Sequence, residues 1–262
     1  HNVPFVMTHH GLFRGNHIVG MSRFDAAESL RLVEKHRASW VMMVPTMMHR
    51  IWRLSEAVRT SFDISSLGVV SHVASPMPVW LKEAWIKWLG ADRIYELYGG
   101  TEGTGGTWIR GDEWLAHKGT VGKFIRDAKV RVLNDEGADC ESEEIGEVYL
   151  MPATGPGSTY HYIGAEPKVA DGGWETLGDM GWLDEDGYLY LADRRTDLII
   201  SGGANIYPAE VEAALAEHPE VDTAVAIGLP DEDLGQIVHA IVRLRRSDRI
   251  DVVEEELRNF VE

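Results

Sequence analysis

The chain has a single cysteine, Cys140, so it cannot form an internal disulfide, and nothing marks a secreted fold held by disulfides. Its longest apolar runs, such as residues 40–44, are too short to span a bilayer, and no signal peptide is visible. Positive charge is scarce, since 25 Lys and Arg stand against 42 Asp and Glu, a formal net charge of −17. This balance argues against nucleic acid or an anionic membrane as the main partner, although a small anion needs only a local positive site.

Neither end of the chain resembles a natural terminus. Residues 1–5, HNVPF, include no initiator methionine, and residues 257–262 fall within a predicted helix. Both ends are therefore expected to be cut. The 262 residues, 44% of them hydrophobic, suffice for one large domain or two smaller ones.

The hydrophobic pattern changes twice along the chain and predicts an α/β fold in three sections. Residues 1–120 alternate strands with helices, which is typical of a covered parallel sheet in a large N-terminal domain. Residues 121–193 alternate with period 2 around Gly/Asp turns, and are predicted to form a small β-barrel section of the same domain. Residues 194–262 begin with a charged joint and predict a hinge and a small, truncated α+β module that moves.

Helix signals and short apolar runs place the elements of the first section. Asp25 and Glu28 stand at the spacing of a capping box, so a helix is expected to begin there. The predicted helices cover residues 25–37, 46–58 and 78–90, and the predicted strands cover 40–45, 67–74 and 93–98. A glycine-rich loop at 99–107 follows the last strand, at the end where open α/β sheets bind ligands.

This loop belongs to the stretch YELYGGTEGTGGT, residues 95–107, with five glycines between Gly99 and Gly106. It contains no lysine and fits neither the Walker A pattern nor G-x-G-x-x-G. Glycines alone more often serve a structural turn. Thr101 and Glu102 favour a function, because a hydroxyl can donate to a phosphate oxygen while a carboxylate holds a Mg²⁺ that bridges phosphates.

Residues 98–102, YGGTE, resemble the Y-G-x-T-E motif of the adenylate-forming enzymes, which include acyl-CoA synthetases, luciferases and peptide-synthetase adenylation domains. Further segments resemble that family in the same order, and residues 1–5 are similar to its histidine motif. These segments are residues 71–78, 146–151, 159–164 and 174–212. The resemblance covers nearly the whole chain, and the wording of residues 201–212, SGGANIYPAEVE, favours the acyl-CoA synthetase branch.

The resemblance implies a role for each matching residue. Thr101 would bind the α-phosphate, Glu102 would bind Mg²⁺, and His1 would lie near the reacting carboxylate, so these three are the expected catalytic residues. Tyr98 would stack on adenine, while Asp179 and Arg194 would contact the ribose. The expected nucleotide-binding residues are Ala74, Ser75, Pro76, Glu96, Tyr98, Gly99, Gly100, Asp179 and Arg194.

The resemblance also implies a mobile C-terminal module. The module would swing about residues 194–197, with Thr196 as the hinge, where the family usually has Asp or Lys. Ser201, Gly202 and Gly203 would then line the channel for CoA. The family's phosphate loop and its C-terminal catalytic lysine have no counterpart in the chain, so the isolated chain is expected not to form acyl-CoA.

The implied activity is ATP-dependent activation of a fatty or other hydrophobic carboxylic acid, followed by transfer to CoA. Mg²⁺ with ATP, and CoA as co-substrate, are the expected small molecules, and the expected location is cytoplasmic, with no transmembrane segment. A catalytically incomplete nucleotide-binding module, an adenylation domain feeding a carrier protein, and a homodimeric assembly stay open. A nicotinamide oxidoreductase and a structural zinc site are disfavoured, because neither fingerprint is present.

Overall fold

A computed structural model of the chain describes residues 2–194, 197–245 and 256–257. The chain divides into two compact units. The first comprises His1–Ala128, Pro152–Thr154 and Ser158–His161, and the second comprises Lys129–Met151, Gly155–Gly157 and Tyr162–Glu262. The predicted boundary between residues 193 and 194 falls inside the second unit, and the three predicted sections stay predictions.

The first unit is built around a four-stranded sheet, β1-β2-β3-β4, in which the first three strands are parallel and β4 is antiparallel to β3. The strands are β1 (Trp40–Met43), β2 (Val69–Val73), β3 (Ile94–Gly99) and β4 (Gly106–Arg110). The helices are α1 (Asn2–Phe13), α2 (Ala26–His36), α3 (Pro45–Trp52), α4 (Glu56–Arg59), α5 (Val79–Leu89) and α6 (Gly111–Ala116). The predicted alternation of strands and helices is confirmed.

Local sequence signals fix the ends of two helices in this unit. The side chain of Asp25 accepts a hydrogen bond of 2.8 Å from the Glu28 N–H, so the predicted cap of α2 is confirmed. The predicted helix over residues 78–90 is found as α5, which begins one residue later, with Pro78 at the N-cap, and ends before Gly90. The predicted helix over residues 46–58 is instead split into α3 and α4, and Ser55 caps the second piece.

Three strands of the sheet contribute side chains to the core of the first unit. Val70, Ile94 and Ile109 come from three neighbouring strands and are fully buried. Trp85 of α5 and Trp114 of α6 are almost fully buried, and the Trp85 Nε1–H donates to the Met48 carbonyl of α3 at 3.3 Å. Aromatic residues of this size bury enough apolar surface to dominate the packing of a small core.

The second unit contains a five-stranded antiparallel sheet of order β5-β6-β8-β7, with β9 paired to β8. Its strands are β5 (Lys129–Leu133), β6 (Gly146–Met151), β7 (Lys168–Ala170), β8 (Trp174–Leu183) and β9 (Leu189–Arg194). Register shifts interrupt both the β6–β8 and the β8–β9 ladders. Such irregularities bend and twist strands, so the sheet curls as the β-rich pattern predicts.

The rest of the second unit forms another antiparallel sheet, of order β11-β10-β13-β12. Its elements are β10 (Ile199–Ser201), β11 (Ala204–Ile206), α7 (Pro208–Glu217), β12 (Val221–Asp231) and β13 (Gly235–Leu244). Leu215 of α7 is buried with Val221 and Leu257 in a small core cluster. The sequence predicts a last helix over residues 251–262, which lies largely outside the described residues, since only 256 and 257 of it are described.

A hydrogen bond joins helix α7 to strand β9 of the five-stranded sheet. Ala209, in the first turn of α7, donates its N–H to the Asp193 carboxylate at 2.9 Å. The N-cap residue, Tyr207, makes no side-chain cap of its own, so Asp193 supplies the negative group that a helix N-terminus favours. Among the described residues, no helix is long and apolar enough to cross a membrane.

Candidate functional site

The predicted glycine-rich loop connects β3 to β4 as a tight hairpin. Gly99 pairs directly with Gly106, so the loop is shorter than the sequence predicts and covers residues 100–105. The two strands approach so closely that a Cβ added to Gly106 would lie 2.8 Å from the Tyr98 carbonyl oxygen. A Cβ added to Gly99 would lie 3.0 Å from the Gly105 carbonyl oxygen. Glycine is therefore required here by close backbone approach.

The hairpin and the segment after β2 leave the sheet at the same edge. β2 is parallel to β3, with Val73 in register with Leu97, so Ala74 and Tyr98 follow neighbouring positions. Ala74 turns the chain with a φ of 78°, and residues 74–76 are exposed. This edge brings together eight of the predicted site residues, which are Ala74, Ser75, Pro76, Tyr98, Gly99, Gly100, Thr101 and Glu102.

An aromatic ring and a hydroxyl–carboxylate pair stand at this edge. The ring of Tyr98 meets Phe124 edge to face, with 6.4 Å between centroids. The Thr101 hydroxyl is exposed and donates to the Glu102 carboxylate at 3.3 Å. The edge thus offers a ring for stacking beside one donor and one acid.

Glu102 fits the role of a ligand to a phosphate-bound Mg²⁺. Mg²⁺ usually keeps several waters and binds proteins through one or two carboxylates together with substrate phosphates. Among the described residues, no three His, Cys, Asp or Glu side chains come together as a protein-only metal site would require. A single partly exposed carboxylate beside a hydroxyl is compatible with such an ion, which Glu102 would hold together with substrate phosphates.

Glu96, also predicted to bind nucleotide, is instead placed among buried side chains. It is 7% exposed and accepts a hydrogen bond from the Lys82 ammonium of α5, which is 1% exposed. The Lys82 Nζ also lies 4.6 Å from the ring centroid of Trp114. Burial raises the pKa of Glu96 and lowers the pKa of Lys82, and the attraction between the two charges opposes both shifts.

His72 completes this buried cluster. It is fully buried in β2, in register with Glu96 of β3, and its Nε2 lies 3.8 Å from the Glu96 carboxylate. Neither ring nitrogen has a hydrogen-bond partner in the described part of the chain. Burial and the nearby Lys82 charge hold the pKa of His72 well below its ordinary value of 6.5, so the imidazole is neutral.

The neutral His72 predicts a pH dependence of stability. The unfolded chain binds a proton near pH 6.5 while the folded chain does not, so stability is fully present above that pH and falls as the pH drops below it. We expect His72→Leu to remove a slope of up to about 1.4 kcal/mol per pH unit between pH 6.5 and 5.5. Urea unfolding of both proteins across this range measures the slope. Parallel curves would contradict the prediction, and His10→Gln on exposed α1 is the control.

A second group of predicted site residues lies in the second unit. Asp179 of β8 and Arg194 of β9 are in register, and the Arg194 Nε lies 3.3 Å from the Asp179 carboxylate. Asp179 is 9% exposed, whereas the Arg194 side chain is exposed. The carboxylate is thus oriented by its neighbour at the end of the curled sheet.

The predicted CoA-channel residues form the turn between β10 and β11. Ser201 ends β10, and Gly202 and Gly203 follow with φ values of 57° and 85°. The Gly202 N–H donates to the Leu234 carbonyl at 2.8 Å, which fixes the turn. His1 and Thr196, predicted as a catalytic residue and as the hinge, lie outside the described residues.

Lys82 is the site-related residue that sequence analysis missed. The sequence predicts only that it lies in the helix over residues 78–90. A signal was present, because Lys82 shares the helix face of Trp85 and Ile86, three and four positions on, and both are buried. A lysine on an otherwise apolar face requires a buried acid, and Glu96 is that acid.

The close approach at Gly106 gives a direct test of the hairpin. We expect Gly106→Ala to lower the free energy of unfolding by about 1–3 kcal/mol, because the new methyl group collides with the Tyr98 backbone and cannot be relieved by a side-chain rotation. Gly20→Ala is the matched control, since an added Cβ there meets nothing within 4 Å. Equal losses in the two variants, measured by urea unfolding, would show that the hairpin tolerates a side chain.

Comparison with known proteins gives two family matches. The model of the AMP-binding enzyme family matches residues 1–161, and that of the AMP-binding enzyme C-terminal domain matches residues 210–262. A 2-succinylbenzoate–CoA ligase of Geobacillus kaustophilus is 42% identical over 243 residues, 90% of this chain and 47% of that ligase. A medium/long-chain-fatty-acid–CoA ligase of Mycobacterium tuberculosis is 32% identical over 237 residues, 89% of this chain and 41% of that ligase.

Solved structures give the same result. The o-succinylbenzoate coenzyme A synthetase of Bacillus subtilis, in complex with ATP and magnesium ion, matches with a TM-score of 0.76 and 30% identity. The match covers 95% of this chain and 50% of that one. The predicted fold class is confirmed, and the chain spans about half the length of the relatives it matches.

Proposed function

Because the chain belongs to the AMP-binding enzyme family, we propose that a full-length protein containing it activates a carboxylic acid with ATP and transfers the acyl group to CoA. The observation that carries the proposal is the shared sheet edge, where residues 74–76, Tyr98 and the Thr101–Glu102 pair come together. This edge offers contacts for a base, for a phosphate and for the cation that accompanies it.

The first half-reaction joins the acid to the nucleotide. A carboxylate oxygen attacks the α-phosphorus of ATP, the bond to the bridging oxygen breaks, and pyrophosphate leaves. In the proposed arrangement, Tyr98 stacks on adenine beside residues 74–76, and the Thr101 hydroxyl donates to an α-phosphate oxygen. Glu102 would hold Mg²⁺, which when bound offsets the charge of the phosphates. Holding the carboxylate and the α-phosphate in line for the attack supplies most of the rate enhancement that these residues can provide.

The second half-reaction forms the thioester. The CoA sulfur, having lost its proton, attacks the acyl carbonyl carbon, and AMP leaves with the bonding electrons. Asp179 is proposed to accept hydrogen bonds from the ribose hydroxyls, with Arg194 holding its carboxylate. Ser201, Gly202 and Gly203 are proposed to border the CoA channel after the C-terminal module rotates about residues 194–197.

The acid is proposed to be a fatty or other hydrophobic carboxylic acid. The support is that one relative is a ligase of medium- and long-chain fatty acids, whereas another is a ligase of 2-succinylbenzoate, an aromatic acid with a second carboxylate. The volume and shape of an apolar pocket change kcat/KM by only about 10–200-fold per methylene of the acid. Several acids of similar chain length should therefore be accepted.

Exchange of labelled pyrophosphate into ATP tests the first half-reaction in the full-length protein. Exchange that depends on a hydrophobic acid, followed by CoA-dependent release of AMP, would support the proposal. Exchange without use of CoA would favour an adenylation domain feeding a carrier protein. Nucleotide binding without exchange would favour a non-catalytic module. The isolated chain serves as the negative control, since it is proposed not to form acyl-CoA.

A further inference from the structure

The ion pair between Lys82 and Glu96 is the most deeply buried pair of opposite charges among the described residues. The two side chains are 1% and 9% exposed, and Lys82 Nζ donates directly to the Glu96 carboxylate. Trp114 lies against the ammonium and His72 against the carboxylate. Among the described residues, nothing in contact with the pair indicates a bound ligand.

The ion pair between Lys82 and Glu96 connects the two segments that form the sheet edge. Lys82 lies in the first turn of α5, which begins directly after residues 74–78, and its N–H is bonded to the Pro78 carbonyl at 3.1 Å. Glu96 lies in β3, two residues before Tyr98, on the same face of the sheet. The pair thus ties the helix that follows one segment to the strand that precedes the other.

Stability alone does not explain such a pair. Burying two charges costs about as much as their attraction returns, and apolar residues of similar volume often replace a buried ion pair without loss. What an ion pair adds is a fixed geometry, because the ammonium and the carboxylate make one short, directional contact where apolar side chains can slide.

We propose that Lys82 and Glu96 are positioning residues for the nucleotide: they fix the separation between residues 74–76 and Tyr98, so that an adenine ring fits between them. The proposal rests on the proposed function. It also assigns Glu96 a place behind the site, through Tyr98, in place of the direct nucleotide contact that the resemblance implies.

The double variant Lys82→Met/Glu96→Met tests the proposal in the full-length protein. Acid-dependent pyrophosphate exchange gives KM for ATP and for the acid separately. We expect KM for ATP to rise about tenfold, because displacements near 1 Å at a binding site cost factors of ten to a hundred. We expect the KM for the acid to change less than twofold and the melting temperature to stay close to that of the parent. A pair with only a structural role would not raise the KM for ATP alone at an unchanged melting temperature.

The exposed ion pair Glu83–Lys118 provides the matched control. Glu83 stands beside Lys82 on the same helix, and its carboxylate lies 2.6 Å from Lys118 Nζ, with both side chains over 40% exposed. Glu83→Met/Lys118→Met removes the same two charges and is expected to leave both KM values unchanged. An equal rise of KM for ATP in this variant would overturn the proposal.

Further outcomes separate the proposal from the proposed function. A parent protein without acid-dependent exchange overturns both. A parent that is active, with an unchanged KM for ATP in the double variant, overturns only the positioning role. If the double variant does not fold, Glu96→Gln keeps the shape and a hydrogen bond while removing the charge. A rise of KM for ATP alone then supports the proposal, and an unchanged KM overturns it.

Discussion

Replacement of Glu102 by glutamine is expected to lower the rate of acyl-adenylate formation in the full-length protein by about 100-fold. The amide keeps the shape of the side chain and can still accept from the Thr101 hydroxyl, 3.3 Å away from the carboxylate in this structure. It lacks the negative charge that binds a hard divalent cation. The concentration of Mg²⁺ needed for half of the maximal rate should therefore rise as the maximal rate falls.

A magnesium titration of acid-dependent pyrophosphate exchange measures both effects. Glu113→Gln is the matched control, because Glu113 lies in the first turn of α6, is exposed, and loses the same charge. If the Glu102 and Glu113 variants give the same titration curve as the parent, Glu102 is only a residue of the hairpin.

The second large effect is expected in the stability of the chain itself. Lys82→Met should lower the free energy of unfolding of the first unit by about 3–5 kcal/mol, because the Glu96 carboxylate is left buried without its counter-charge. Adding Glu96→Met should recover most of the loss, since the second substitution removes the uncompensated charge. Urea unfolding followed by tryptophan fluorescence reports on this unit, where Trp85 and Trp114 are buried.

The exposed ion pair Glu83–Lys118 provides the comparison for this measurement. Lys118→Met removes a lysine whose side chain is 53% exposed, and it should change the stability by less than about 1 kcal/mol. A Lys82→Met variant as stable as Lys118→Met would show that Glu96 takes up a proton or water at no cost. A double variant less stable than the single one would show that the pair itself stabilises the fold.

The parts of the fold that local chemistry determines could be predicted from the sequence. Asp25 caps α2 because its carboxylate reaches an N–H three residues on. Pro78 and Gly90 bound α5 because proline fixes its own φ, whereas glycine permits the positive φ of 101° that ends the helix. Short apolar runs between helices also identified the parallel strands, and alternation with period 2 identified the β-rich section. The spacing of apolar residues predicts the type of element because it determines which side chains are buried.

The parts that depend on distant residues could not be predicted in this way. Lys82 and Glu96 are fourteen positions apart, and only the packing of α5 on the sheet shows that they meet. The shortened loop is another case, because the pairing of Gly99 with Gly106 depends on β4 folding back as a fourth strand. Strand β11 depends on a partner as well, because its three residues pair with β10 across a two-glycine turn and carry little pattern of their own.

The candidate site shows the same difference between what local sequence predicts and what depends on distant residues. Thr101, Glu102 and Tyr98 were found from a motif, and the structure places them at one sheet edge with residues 74–76. Glu96 was assigned by its place next to the motif, and its burial depends on a helix earlier in the chain. A motif identifies chemical groups, whereas the direction in which each side chain points depends on the strand that carries it.

The hydrogen bond between Asp193 and Ala209 would oppose the proposed rotation of the C-terminal module. It joins the last strand before residues 194–197 to the first helix after them, so the helix cannot turn away from the strand until the bond opens. A bond to a charged acceptor contributes about 1.5–3 kcal/mol, which corresponds to a bias of roughly 10–150-fold between the closed and open arrangements. Asp193 would thereby set the fraction of time that the module is available for the second half-reaction.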